Sequence, residues 1–203
     1  MIKIKFCGLT QPCDIETANA LHADYIGFVF SPRSRRYLTP KKAAELKEQL
    51  APSILAVGVF VDEELEKVAA LLNQKIINVA QLHGQEDATY IKRLKILTGM
   101  PVIKAFSMYT EREKKLAQNC IADYVLLDSG SGGTGKVFDW DLVRDMNRPY
   151  FLAGGLNLEN IEKAAGTLHP FGVDVSSGIE TNGRKDPAKM AAFAAAIRKL
   201  ERK

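Results

Sequence analysis

Short apolar runs rich in β-branched residues recur along the chain, each followed by a longer stretch whose apolar residues return at helical spacing. The runs cover residues 2–6, 25–30, 55–61, 77–82, 102–106, 124–127, 150–153 and 172–175. Several are apolar almost throughout, as expected for parallel strands covered on both faces. Between the runs, punctuation marks helices. Thr10 reads as a helix start after the first run. Thr39-Pro40 reads as an N-cap with proline at the first helical position, opening a helix towards Leu50. After Asp62, two glutamates suit a first turn, and Leu65, Val68, Ala69 and Leu72 mark one face. Asp186-Pro187 opens the last helix, where Met190, Phe193, Ile197 and Leu200 form a stripe suited to packing on a sheet. The tail RKLERK is a solvated helix end with cations at its carbonyl pole.

Eight strand–helix units without a break in composition predict one (β/α)8 barrel, a single catalytic domain over residues 1–203. That length is at the low end for the fold, so the connections have to be short. An open doubly wound sheet would need a phosphate fingerprint in its first turn, and FCGLTQPCD has no G-x-G-x-x-G.

Composition narrows the class without naming it. The chain is 46% hydrophobic and 26% charged, as in ordinary globular proteins, and its formal charge is +4. Acidic and basic residues are mixed along it, which argues against a nucleic-acid-binding protein with its basic stripe. Three cysteines without metal-ligand spacing speak against a disulfide framework and for a reducing cytoplasm. The N-terminal run, with Lys3 and Lys5 interleaved, lacks the long apolar stretch of a signal peptide, and no stretch reaches the roughly 18 apolar residues of a membrane span.

In a barrel the functional groups gather at the C-terminal ends of the strands. Those positions yield Cys7 after the first run, SPRSRRY after the second, QLHG with His83 after the fourth, and Asp128 after the sixth. The seventh leads into Gly154-Gly155, and the eighth passes through Asp174 into Ser176-Ser177-Gly178. Small residues in these last two loops let backbone N–H groups approach an anion, where barrels commonly hold phosphate. SGSGGTGK fails the P-loop pattern because Val137 follows Lys136; a flexible lid that closes over a ligand fits it better. Among Arg33, Arg35 and Arg36, one could clamp a carboxylate through two parallel hydrogen bonds. His83 is open between a structural hydrogen-bonder and a contact to substrate. His22 and His169 read as structural, and Cys13 and Cys120 as small buried hydrophobes.

The series KFCGLT, GFVFSPRSRRY, VGVFV, QLHG, LLDSGSGGTGKVFDW, AGGL and VDVSSGIE resembles the phosphoribosylanthranilate isomerase family of tryptophan biosynthesis, in order and from Lys5 to the final helix. The resemblance implies an eight-stranded barrel that carries out an Amadori rearrangement without cofactor or metal. Its substrate would be N-(5-phosphoribosyl)anthranilate and its product 1-(2-carboxyphenylamino)-1-deoxyribulose 5-phosphate. It implies Cys7 as general base, Asp128 as general acid, Arg36 on the anthranilate carboxylate and Asp174 orienting the anthranilate end. Gly154, Gly155, Ser176, Ser177 and Gly178 would hold the phosphate. Two positions depart from the family pattern: Phe6 replaces a β-branched residue, and Asn182 stands where proline is common.

Such chemistry needs an acid and a base together. Limited solvation or nearby negative charge would keep Asp128 protonated, and a positive neighbourhood would bring the Cys7 thiol below its ordinary value of about 8.5. Lys5 could supply that charge if the first strand stays regular, because alternation then puts it on the face of Cys7. Two rivals remain. One is a barrel isomerase of histidine biosynthesis, with carboxylate where Cys7 stands and a second phosphate site. The other is a non-catalytic binder of phosphoribosyl ligands.

Overall fold

The computed structural model describes residues 1–130 and 138–200. The lid reading falls largely on 131–137, and the end of the basic tail on 201–203, so both lie outside the described residues.

Eight parallel strands close into a barrel in sequence order: β1 Lys3–Cys7, β2 Tyr25–Val29, β3 Leu55–Phe60, β4 Val79–Leu82, β5 Val102–Ser107, β6 Tyr124–Asp128, β7 Tyr150–Leu152 and β8 Gly172–Val175. Around them lie α1 Pro12–Ala20, α2 Pro40–Lys47, α3 Leu65–Asn73, α4 Ala88–Thr98, α5 Glu111–Gln118, α6 Ile161–Leu168 and α7 Pro187–Leu200. Between β6 and β7 the described residues hold a 3₁₀ turn, Trp140–Val143, where the repeating pattern predicts a helix. A short hairpin, β9 Glu180–Thr181 with β10 Arg184–Lys185, follows β8 and a 3₁₀ turn at Ser177–Ile179. No helix among the described residues is long and apolar enough to cross a membrane.

Local chemistry sets the helix starts. Thr39 accepts from the Lys42 N–H ahead of Pro40, as its sequence position predicts. Asp186 accepts from the N–H groups of Ala188 and Lys189 at the head of α7. In α1 the start falls later than Thr10: Gln11 is the cap, and Asp14 reaches back to the N–H groups of Thr10 and Gln11. Cys13 is exposed there, not a buried hydrophobe, because it sits on the solvent side of the first turn.

Alternation along the strands sorts the core into two layers. Outward-facing Ile4, Phe6, Ile26 and Phe28 pack with helix residues such as Leu46, Leu72 and Phe193. Inside the barrel, Tyr25, Val57, Val79, Ile103, Leu126 and Phe151 form a separate cluster, with Tyr25 and Phe151 edge to face at 5.4 Å between ring centres. Burying one such large apolar side chain contributes about 1.5–3 kcal/mol. Above this apolar floor the interior turns polar. The register places Lys5 opposite Asp174 and Cys7 opposite Gly27, and Lys5, Gln81 and Asp128 are buried.

Candidate active site

Cys7 is the last residue of β1 and Asp128 the last of β6, so strand geometry alone aims both across the same barrel mouth. With them, Arg36, His83, Gly154, Gly155, Asp174, Ser176 and Ser177 line one cavity of about 410 Å³. Gly178 stands behind this wall, against the Leu156 carbonyl. A larger cavity of about 670 Å³ lies on the barrel flank beside α4 and α5 and touches none of these residues.

The loop after β7 passes directly over the Asp128 carboxyl. Gly154 has φ +79°, and a side chain there would come within 2.6 Å of Asp128 Oδ1. Glycine is needed both for the left-handed backbone and for that approach. Ser176 fastens the opposite loop: its hydroxyl donates to the Cys7 carbonyl at 3.0 Å. Lys185, from β10, donates to the Ser176 carbonyl at 2.9 Å and to Glu180 at 2.8 Å. Glu180 also accepts from Arg36 Nε at 2.7 Å and Arg36 Nη2 at 3.0 Å. Arg35 Nη2, largely exposed, reaches the same carboxylate at 2.6 Å. The arginine at the rim is thus held along one edge, and it lines the cavity. Burial alone would push the Glu180 carboxyl up, but hydrogen bonds from Arg36 and Lys185 carry it below its ordinary value.

Asp128 and His83 face each other, with Nε2 of the ring 3.5 Å from Oδ2. Gln81 Nε2 lies 3.3 Å from His83 Nδ1. If the amide donates there, the ring proton sits on Nε2 and points at Asp128. Burial would raise the Asp128 carboxyl, yet the His83 hydrogen bond and charge, with the N–H and hydroxyl of Ser129, bring it below its ordinary value. Cys7 departs the other way. Burial pushes the thiol up and Asp174 adds to this, while Lys5 and Lys185 oppose without overcoming it. Both directions are opposite to the sequence-based expectation of a depressed thiol and a raised acid. The reason is local: His83 outweighs desolvation at one carboxylate, and desolvation outweighs two cations at the thiol.

Gln81, Glu180 and Lys185 escaped the sequence reading. Gln81 is 1% exposed, and its Oε1 has no hydrogen-bond partner among the described residues, although it lines the cavity. Among the described residues, no group of three His, Cys, Asp or Glu side chains is placed to hold a metal ion.

Residues 4–196 match the family model described as N-(5'-phosphoribosyl)anthranilate (PRA) isomerase. The chain belongs to that family. An N-(5'-phosphoribosyl)anthranilate isomerase of Endomicrobium trichonymphae is 41% identical over 204 residues, covering 98% of this chain and 100% of the relative. The crystal structure of the Thermotoga maritima phosphoribosyl anthranilate isomerase superposes with a TM-score of 0.89 at 37% identity, over 98% of this chain and 100% of that one. A further phosphoribosyl anthranilate isomerase structure, in complex with reduced 1-(o-carboxyphenylamino)-1-deoxyribulose 5-phosphate, gives 0.87 at 36% identity with the same coverage. Membership in this family agrees with both the barrel and the motif series.

Proposed function

We propose that this barrel, as one catalytic domain, converts N-(5-phosphoribosyl)anthranilate to 1-(2-carboxyphenylamino)-1-deoxyribulose 5-phosphate by acid–base catalysis, as a step of tryptophan biosynthesis. The observation that carries the assignment of roles is the shared cavity, in which the Cys7 thiol and the Asp128 carboxyl end separate strands. Asp128, as the acid, gives a proton to the furanose oxygen. The C1–O bond breaks, and the aryl nitrogen lone pair forms the C1=N bond of a Schiff base. The Cys7 thiolate takes the C2 proton, and the released electron pair forms C1=C2 while nitrogen regains its lone pair. Tautomerisation moves a proton from the C2 hydroxyl to C1, leaving the ketose, and proton return restores acid and base.

Arg36 is assigned to the anthranilate carboxylate, supported by the edge-on hold of Glu180 at the cavity rim. Gly154, Gly155, Ser176 and Ser177, backed by Gly178, are assigned to the phosphate. Asp174 and His83 are assigned to orienting the substrate. A small phosphorylated ligand is supported by the related structure that holds the reduced product. The three free cysteines agree with a reducing, cytoplasmic setting.

Purified protein given phosphoribosylanthranilate is expected to consume it, read as loss of substrate fluorescence; a mere binder gives no turnover. Cys7→Ser is expected to lower kcat by about 10²- to 10⁴-fold with a modest change in KM. Near-normal turnover in that variant removes Cys7 from the mechanism.

A further inference from the structure

Lys5 is fully buried, and its ammonium meets Asp174 Oδ1 at 2.8 Å. An ammonium in such a place carries a desolvation penalty of several kcal/mol, and an apolar side chain of the same volume would pack without it. Something at the barrel mouth therefore has to gain from the charge. Regular alternation along β1 puts Lys5 on the same inner face as Cys7. Across from Cys7, β2 contributes Gly27. A Cβ at that position would lie 2.8 Å from Cys7 Sγ and 3.3 Å from Lys5 Nζ. The ammonium and the sulfur both border the space that a side chain there would fill.

We propose that Lys5 is the positioning residue that turns Cys7 into a thiolate, and that Asp174 holds the ammonium back until substrate engages Asp174. This rests on Cys7 being the base. The charged groups around the sulfur limit the choice. Lys5 comes from its own strand, Asp174 from β8 and Lys185 from β10, while β2 supplies none; Asp128 and His83 line the same cavity, and Arg36 packs against Gly8, next to Cys7 in the chain. Lys185 is engaged by Glu180 and by the carbonyl and hydroxyl of Ser176. Lys5 is paired with one carboxylate, Asp174, and its charge favours the thiolate. Asp174 borders the cavity, where an N–H or hydroxyl of the substrate can donate to it. Each such bond weakens the hold of Asp174 on the ammonium and leaves more of that charge to the sulfur. The thiol proton leaves through the mouth to water, Lys5 stays an ammonium throughout, and the thiolate then accepts the C2 proton.

The test reads the sulfur directly. In a Cys13→Ser/Cys120→Ser background with Cβ-carbon-13 cysteine, the NMR shift of Cys7 is titrated with pH. Lys5→Met is expected to raise the Cys7 pKa by about one unit or more, and Asp174→Asn to lower it, since opposite and like charges at this range act in opposite senses. A residue that merely fills space would not shift the thiol in opposite directions in the two variants. Should Lys5→Met fail to fold, the Lys5→Met/Asp174→Asn double variant, with no net charge removed, is compared with Asp174→Asn and is expected to titrate higher. Adding reduced 1-(o-carboxyphenylamino)-1-deoxyribulose 5-phosphate near pH 7 to the background protein is expected to move the Cys7 signal towards thiolate. Unchanged titrations in the charge variants overturn the role of Lys5, and an unmoved signal with the analogue overturns the release by Asp174. Neither readout involves turnover, so an active Cys7→Ser enzyme would refute the base assignment separately.

Discussion

Glu180→Gln tests how the rim arginine is held. The substitution keeps the shape of the side chain and removes a carboxylate that is 5% exposed and faces three cations. Two of those cations, Arg36 and Lys185, are only 16% and 3% exposed. Removing one partner of a buried ion pair costs about 3–5 kcal/mol. The amide oxygen still accepts one or two of the bonds, so the expected loss is at the low end, about 3 kcal/mol. For a protein of this size each kcal/mol moves the midpoint by about 2–4 °C, giving a Tm lower by about 6–12 °C in calorimetry. The sign with pH follows from the depressed carboxyl. Its contribution is fully present above the ordinary glutamate value of about 4.3 and is lost as pH falls through the lower folded value, so the Tm gap closes in acid. On the substrate side, an arginine no longer held edge-on loses pre-organisation, and KM is expected to rise about tenfold, which is about 1.4 kcal/mol. Because the effect runs through Arg36, Glu180→Gln added to Arg36→Met should raise KM no further than Arg36→Met alone. Arg35→Ala, at a side chain 58% exposed, should cost less than about 1 kcal/mol and leave KM alone. A Glu180→Gln enzyme with normal Tm and KM would refute the reasoning.

Removal of the ring beside the acid has a signed effect. His83→Ala takes away the group that holds the Asp128 carboxyl down, so its pKa rises; because this carboxyl titrates below the thiol, the acidic limb of the kcat/KM profile moves to higher pH, and an unmoved limb would show that His83 does not tune Asp128. Lys104 on β5 is buried and donates to the Gly84 carbonyl at 2.6 Å and to Glu86 at 2.9 Å, tying down the loop that follows His83. Lys104→Met strands the Glu86 carboxylate and is expected to cost about 3–5 kcal/mol in urea unfolding, whereas a loss below about 1 kcal/mol would mean the loop is held by other means.

Much of this protein is legible from local rules. Strand existence follows from apolar runs, because a parallel strand covered on both faces has no polar side to advertise. The caps at Thr39 and Asp186 follow from side-chain oxygens set beside prolines, which need no distant partner. Cys7 and Asp128 line one cavity because a barrel turns the end of every strand towards one mouth, so order along the chain is enough to bring them together. Between β6 and β7 the described residues hold the 3₁₀ turn Trp140–Val143 where the repeat predicts a helix, and that turn buries Val143.

What the sequence by itself determined, then, is the repeating unit and the identity of the groups at each strand end. The charge state of those groups was settled only by closure of the barrel. Asp174 comes to Lys5 across 169 positions and Glu180 to Arg36 across 144, and no local pattern encodes either pairing. A pKa depends on distance and on exclusion of water, both products of packing, which is why a thiol expected to be acidic is raised and a carboxyl expected to be neutral is lowered.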